Sequence, residues 1–80
     1  MSNGKRILLV DDDDALRQTL AEQLDLHDEF STIQASTAAA ALDQLKADNF
    51  DLVLLDVGLP DMDGRELCKL MRRGGIRVPV

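Results

Sequence analysis

Short apolar runs alternate with helix-patterned stretches along the whole chain, and this alternation limits the available folds more than any other feature. Ile7-Leu8-Leu9-Val10 is continuously apolar, the pattern of a strand buried on both faces of a parallel sheet. Ala15 to Leu26 follows, with Leu16, Leu20 and Leu24 four residues apart, Ala21 beside them, and Arg17, Gln18, Glu22 and Gln23 elsewhere. That spacing predicts an amphipathic helix with Leu16, Leu20 and Leu24 inward and Asp13 or Asp14 as its cap. Phe30 to Ala35 predicts a second strand, and Ser36 or Thr37 caps a helix over Ala38 to Ala47. Leu52-Val53-Leu54-Leu55, between Asp51 and Asp56, is the clearest central strand. Residues 57–62 read as a loop broken by Gly58 and Pro60. Asp63-Gly64-Arg65-Glu66 begins a third helix, with Leu67, Leu70 and Met71 inward and Gly74-Gly75 at its end. Ile76 to Val80 begins a fourth strand. The order β-α-β-α-β-α-β predicts an α/β fold with a parallel sheet and right-handed crossovers.

Composition then removes several functions. Eighty residues make one small domain at most. One cysteine, Cys68, and one histidine, His27, leave no intramolecular disulfide and no structural zinc site within a chain. A net charge of −6 argues against a nucleic-acid surface on this segment. No apolar run reaches the length of a membrane span, and the opening residues do not form a signal peptide, so the chain reads as cytoplasmic. The acids are skewed, 12 Asp to 3 Glu. Asp favours caps, turns and cation sites over helix interiors.

The chemistry follows from where the strands end. Asp11 and Asp12 close the first strand and Asp56 closes the third. In a doubly wound sheet of order 2-1-3-4 these strands are neighbours at the switch point, where ligands bind. Crowded carboxylates repel one another, and a hard divalent cation removes that cost. Mg2+ takes oxygen ligands and combines one or two carboxylates with substrate phosphate. An aspartate beside such a metal can act as nucleophile and carry a phosphoryl group. Taken alone, Asp11 to Asp14 is an acidic helix start, and Asp56 a strand-ending Asp. Their matching positions, with Gly58-Leu59-Pro60 and Asp63-Gly64 behind Asp56, turn the balance towards a metal pocket.

Ile7-Leu8-Leu9-Val10-Asp11-Asp12-Asp13 and Leu54-Leu55-Asp56-Val57-Gly58-Leu59-Pro60-Asp61-Met62-Asp63-Gly64 together resemble the receiver domain of two-component response regulators. The 44-residue separation of Asp12 and Asp56 fits that family, and the likeness runs from Lys5 to the end. The resemblance implies a flavodoxin-like fold and a domain that is a kinase substrate rather than an ordinary enzyme. It implies Asp56 as acceptor of a phosphoryl group from a sensor histidine kinase or a histidine phosphotransfer protein. It implies Mg2+ held by Asp12, Asp56 and the backbone carbonyl of Gly58, with Asp11 acting in the pocket and on the metal indirectly. The family's switch Ser/Thr, its Lys, its fifth strand and its last two helices are expected beyond Val80. Residues 1–80 therefore read as a receiver domain incomplete by about 40 residues, by ordinary element and loop lengths. An uncovered strand edge in such a piece predicts a homodimer or aggregation.

Two other functions share some of these residues. Leu9-Val10-Asp11-Asp12-Asp13 has the form of the haloacid-dehalogenase aspartyl phosphatase motif, but Ala15 stands where that motif has Thr or Val. A non-catalytic interaction fragment of receiver fold would keep the acids without forming a stable phosphorylated state. Asp61-x-Asp63-Gly64 echoes a calcium loop, but its ligand ladder is missing, and it reads as a cap and turn. Cys68 reads as a packing residue, His27 as a surface helix end, and Arg72, Arg73 and Arg77 as a solvated helix end.

Overall fold

The structure, a computed structural model, describes residues 4–56 and 58–80. Residues 1–3, on which the leader reading partly rests, and Val57 in the loop after Asp56 lie outside the described residues. The elements are β1 (Lys5–Val10), α1 (Asp14–Asp25), β2 (Phe30–Ala35), α2 (Ala38–Ala47), β3 (Leu52–Leu55) and α3 (Gly64–Arg73).

The sheet is parallel with order β2-β1-β3. Lys5 to Val10 pair with Phe30 to Ala35, and Ile7 to Val10 pair with Leu52 to Leu55. β1 is the central strand with a core on each of its faces, which is why its run is apolar without alternation. The pleat sends successive residues to opposite faces. Leu8 and Val10 join Val53, Ala38, Ala41, Leu45, Leu67 and Met71 in the larger core under α2 and α3. Ile7 and Leu9 join Ala21 in a smaller core under α1. Each helix starts at a side-chain cap: Asp13 accepts from Leu16, Thr37 from Ala40 and Asp63 from Arg65. No helix of the described residues is long and apolar enough to cross a membrane.

Three expectations are corrected. In α1 the inward stripe is Arg17, Ala21 and, half-buried, Leu24, whereas Leu16 and Leu20 are 49% and 39% exposed. Both stripes have helical spacing. The long apolar stem of an arginine can lie in a core when its head finds acceptors, so hydrophobicity alone could not choose between them. In α3, Leu67 and Met71 are fully buried but Leu70 is 37% exposed, one step round from the core stripe. Residues 76–80 form no strand. They run beside β3, where the Val53 N–H donates to the Pro79 carbonyl at 2.9 Å. Pro79 has no N–H to return. The carbonyls of Ile76 and Val78 are taken instead by the Arg72 guanidinium, at 3.0 and 2.9 Å. Arg72 is thus tied back onto the chain rather than only solvated.

Candidate functional site

The acids stand where the sheet's own ladder puts them. The Asp11 N–H donates to the Ala35 carbonyl at 3.1 Å, and the Asp56 N–H donates to the Val10 carbonyl at 2.9 Å. Each aspartate is thereby carried one step past the end of its strand, on adjacent strands, to the same edge of the sheet. Asp11 and Asp56 are half-buried and Asp12 is exposed. One carboxylate oxygen from each of Asp11, Asp12 and Asp56 lies within 4.8 Å of the others. The structure thus brings together the three carboxylates that the sequence singled out.

The β1–α1 turn orders this cluster locally. The Asp13 N–H donates to Asp11 Oδ1 at 2.9 Å, so one Asp11 oxygen is committed to the turn. Asp13 itself caps α1, accepting the Leu16 N–H at 3.0 Å. On the other side, the Gly58 N–H lies 3.4 Å from Asp56 Oδ1, a long contact. Gly58 also bridges Asp63 across the loop. A Cβ placed on Gly58 would meet nothing within 4 Å. The loop therefore uses Gly58 for its backbone and does not need a glycine there on steric grounds.

Three carboxylates at this spacing repel one another. In a fully aqueous medium, unit charges 4.8 Å apart cost about 0.9 kcal/mol per pair. A hard cation at their centre converts that cost into attraction. The donor set is all oxygen and anionic, which suits Mg2+ or Ca2+ and not a softer metal. A groove of about 360 Å³ opens beside the cluster, lined by Leu9, Val10, Asp11, Arg17, Leu20, Leu54, Leu55 and Asp56. Its lining sets five apolar side chains beside the acids Asp11 and Asp56 and the arginine Arg17.

A family profile of the response regulator receiver domain matches residues 7–80. The chain belongs to the response regulator receiver domain family. It is 40% identical over 75 residues to the response regulator MprA of Mycolicibacterium vanbaalenii, covering 94% of this chain and 32% of that protein. The chain thus spans about a third of the length of the curated relatives it matches. Among solved structures, the receiver domain of the Francisella response regulator 1452 superposes with a TM-score of 0.90 at 27% identity, covering 96% of this chain and 63% of that one. The response regulator TrrA of Thermotoga maritima, solved in complex with Mg2+ and BeF, superposes with a TM-score of 0.80 at 34% identity, covering 88% and 60%. The flavodoxin-like receiver fold is shared, and the strand order 2-1-3 agrees with the expected sheet as far as its strands form.

Two residues of this receiver had no assigned role in the sequence reading. Arg17, placed on the polar side of its helix, is 9% exposed and packs against the site. Asp61, read as a turn residue, reaches across to α2. Its Oδ1 accepts the Ala38 N–H at 2.8 Å and its Oδ2 accepts the Ala39 N–H at 2.9 Å. These bonds to free helix-start amides hold the Asp61 carboxyl below its ordinary pKa. The far end of the loop behind Asp56 is therefore held twice, by Asp61 on α2 and by Asp63 on α3. Asp63 is likewise held below its ordinary pKa, chiefly by the Arg65 side chain. The only signal for Asp61 was its residue type. Glu66, in the first turn of α3, stands 3.8 Å from Lys69. Cys68 is half-buried, as expected of a packing residue.

Proposed function

We propose that the chain is a phosphoacceptor receiver in which Asp56 takes a phosphoryl group from a phosphohistidine, with Mg2+ held by Asp12, Asp56 and the Gly58 carbonyl. The observation that carries this reading is the meeting of Asp11, Asp12 and Asp56 oxygens within 4.8 Å at one edge of the sheet. The all-oxygen donor set fits Mg2+, and TrrA, a structural neighbour, was solved with Mg2+ and BeF.

Asp56 supplies the nucleophile. One carboxylate oxygen forms a bond to phosphorus as the bond from phosphorus to the imidazole nitrogen breaks, and the leaving imidazole recovers its electron pair and a proton. The product is an acyl phosphate on Asp56. Mg2+, when bound, neutralises charge on the transferring phosphoryl oxygens and on the acids around them. Asp12 and Asp11 supply the anionic wall that holds the cation, Asp11 from the second rank because one of its oxygens already serves the turn. The partner is a sensor histidine kinase or a histidine phosphotransfer protein, met in the cytoplasm. An acidic receiver segment of this kind acts through protein contacts, including a homodimer, and not by touching nucleic acid itself. As kinase substrates, receivers of this type contribute catalysis only to their own phosphorylation and dephosphorylation.

The test is incubation of the chain with acetyl phosphate and Mg2+, followed by mass spectrometric mapping of the modified aspartate. Modification at Asp56, lost in Asp56→Asn and in excess chelator, is the expected result. Modification at Asp11 would instead favour aspartyl phosphatase chemistry, and Mg2+ binding with no phosphorylated form would leave a non-catalytic interaction domain.

A further inference from the structure

Arg17 is the buried charged residue of the described chain, and its three guanidinium nitrogens are all engaged. Nε donates to Gln34 Oε1 on β2 at 2.9 Å. Nη1 donates to the main-chain carbonyl of Asp11 at 2.7 Å. Nη2 pairs with Asp14 Oδ1 on the first turn of α1 at 2.7 Å. One planar group therefore joins the end of β1, the neighbouring strand and the start of α1. Leaving a charge of this kind at such a place requires the acceptors to be good ones, because an unpaired buried cation is costly.

The bond to the Asp11 carbonyl has a specific consequence. A peptide unit is planar. Fixing the Asp11 carbonyl direction fixes the plane that carries the Asp12 N–H and Asp12 Cα. The carboxylates of Asp11 and Asp12, just past β1, depart from the two ends of that one unit. The pairing with Asp14 matters as well, since it balances a positive charge that would otherwise push a dication away from the pocket.

We propose that Arg17 is the positioning residue of the acid pocket, its guanidinium fork setting the Asp11–Asp12 peptide plane so that both carboxylates meet Asp56 around one cation. This role rests on the Mg2+ reading above and deepens it. Arg17 touches neither the cation nor the phosphoryl group. It acts through the backbone, as the outer partners of metal ligands do elsewhere, where their loss costs about 10–100-fold in metal affinity. The competing role is a plain anchor of α1 to the sheet. An anchor would affect stability alone.

The two roles separate by calorimetric Mg2+ titration of the chain, each variant being held well below its own Tm. Calorimetry suits a chain with no Trp or Tyr. Arg17→Ala is expected to weaken Mg2+ binding at least about tenfold. Arg17→Lys keeps a cation but not the fork; it is expected to recover much of the Tm and little of the affinity. Leu45→Ala, a core cavity near the other end of β3, is expected to lower Tm and leave the affinity as it was. The proposal is overturned if Arg17→Lys binds Mg2+ like the unsubstituted chain, or if Leu45→Ala loses as much affinity as Arg17→Ala. Should Arg17→Ala not fold, Arg17→Lys alone decides on the same criterion. No Mg2+ heat from the unsubstituted chain would overturn the metal site itself, a result distinct from either.

Discussion

Replacing Asp56 by Asn is expected to stabilise the cation-free protein. Asn keeps the shape of the side chain and an oxygen that can still face the Gly58 N–H, so what changes is charge. Asp56 lies within 4.8 Å of carboxylate oxygens on both Asp11 and Asp12. Neither repulsion exists in the unfolded chain, where Asp56 is 44 residues from Asp12. Asp11 and Asp12, by contrast, are neighbours in both states, and their mutual repulsion largely cancels. At water's dielectric each lost pair is worth about 0.9 kcal/mol, and ordinary salt halves it. The two pairs together therefore give Asp56→Asn about 1 kcal/mol, or a Tm rise of about 4–8 °C for a domain of this size. Salt near 1 M shrinks the screening length to about 3 Å and should erase most of the gain. Mg2+ should invert the ranking. Binding to the unsubstituted site adds about 2.7 kcal/mol at a hundred times Kd, and the Asn variant has lost one ligand charge. Thermal melts in chelator, in chelator with high salt, and in Mg2+ test all three parts. An Asn variant that is no more stable in chelator, or that gains as much from Mg2+ as the unsubstituted chain, refutes the reasoning.

Other outcomes follow from the same contacts. Leu67 is fully buried in the larger core, and Leu67→Ala should cost about 2–5 kcal/mol, much of the stability of a chain this short; urea unfolding measures it, and a loss below about 1 kcal/mol would mean the core collapses around the gap. Asp61→Asn should destabilise at neutral pH and have a fading effect in acid. The Asp61 carboxyl is held below its ordinary value of 3.8 by the α2 amides, so its contribution is full above that pH and disappears as pH falls through the lower folded value. Melts of both proteins from pH 7 to pH 2 give the difference, and a gap that stays constant with pH would rule out the clamp. Asp14→Asn removes the charge paired with Arg17 beside the pocket and should weaken Mg2+ binding in calorimetry; unchanged affinity would show that the balance of charge there is unimportant.

The spans of β2, α2 and β3 were legible to the residue, because strand and helix periodicities are written into the local run. The cap Asp63 was legible for the same reason, and those of α1 and α2 to within one residue, because each serves an amide two or three residues away; the structure chose Asp13 over Asp14 and Thr37 over Ser36. So were Asp11, Asp12 and Asp56, since a strand's end is visible in its sequence and adjacent parallel strands bring their ends to one edge. The strand expected at 76–80 was not obtained. A parallel strand needs a ladder, and Pro79 and Arg72 leave only the single bond to Val53 in that segment among the described backbone contacts with β3.

The order of elements from β1 to α3 and the acids at the strand ends are properties of short stretches of chain, and local pattern is enough to read them. Tertiary structure alone decided which stripe of α1 turned inward, that Arg17 would grip the carbonyl of Asp11 while reaching Gln34, and that Asp61 would cap a helix 23 residues earlier. An arginine on a helix surface and an aspartate in a loop have no intrinsic partner. Their partners arise only when docking places unsatisfied carbonyls and helix-start amides within 3 Å of them, and the cost of leaving such groups unpaired then holds the geometry in place.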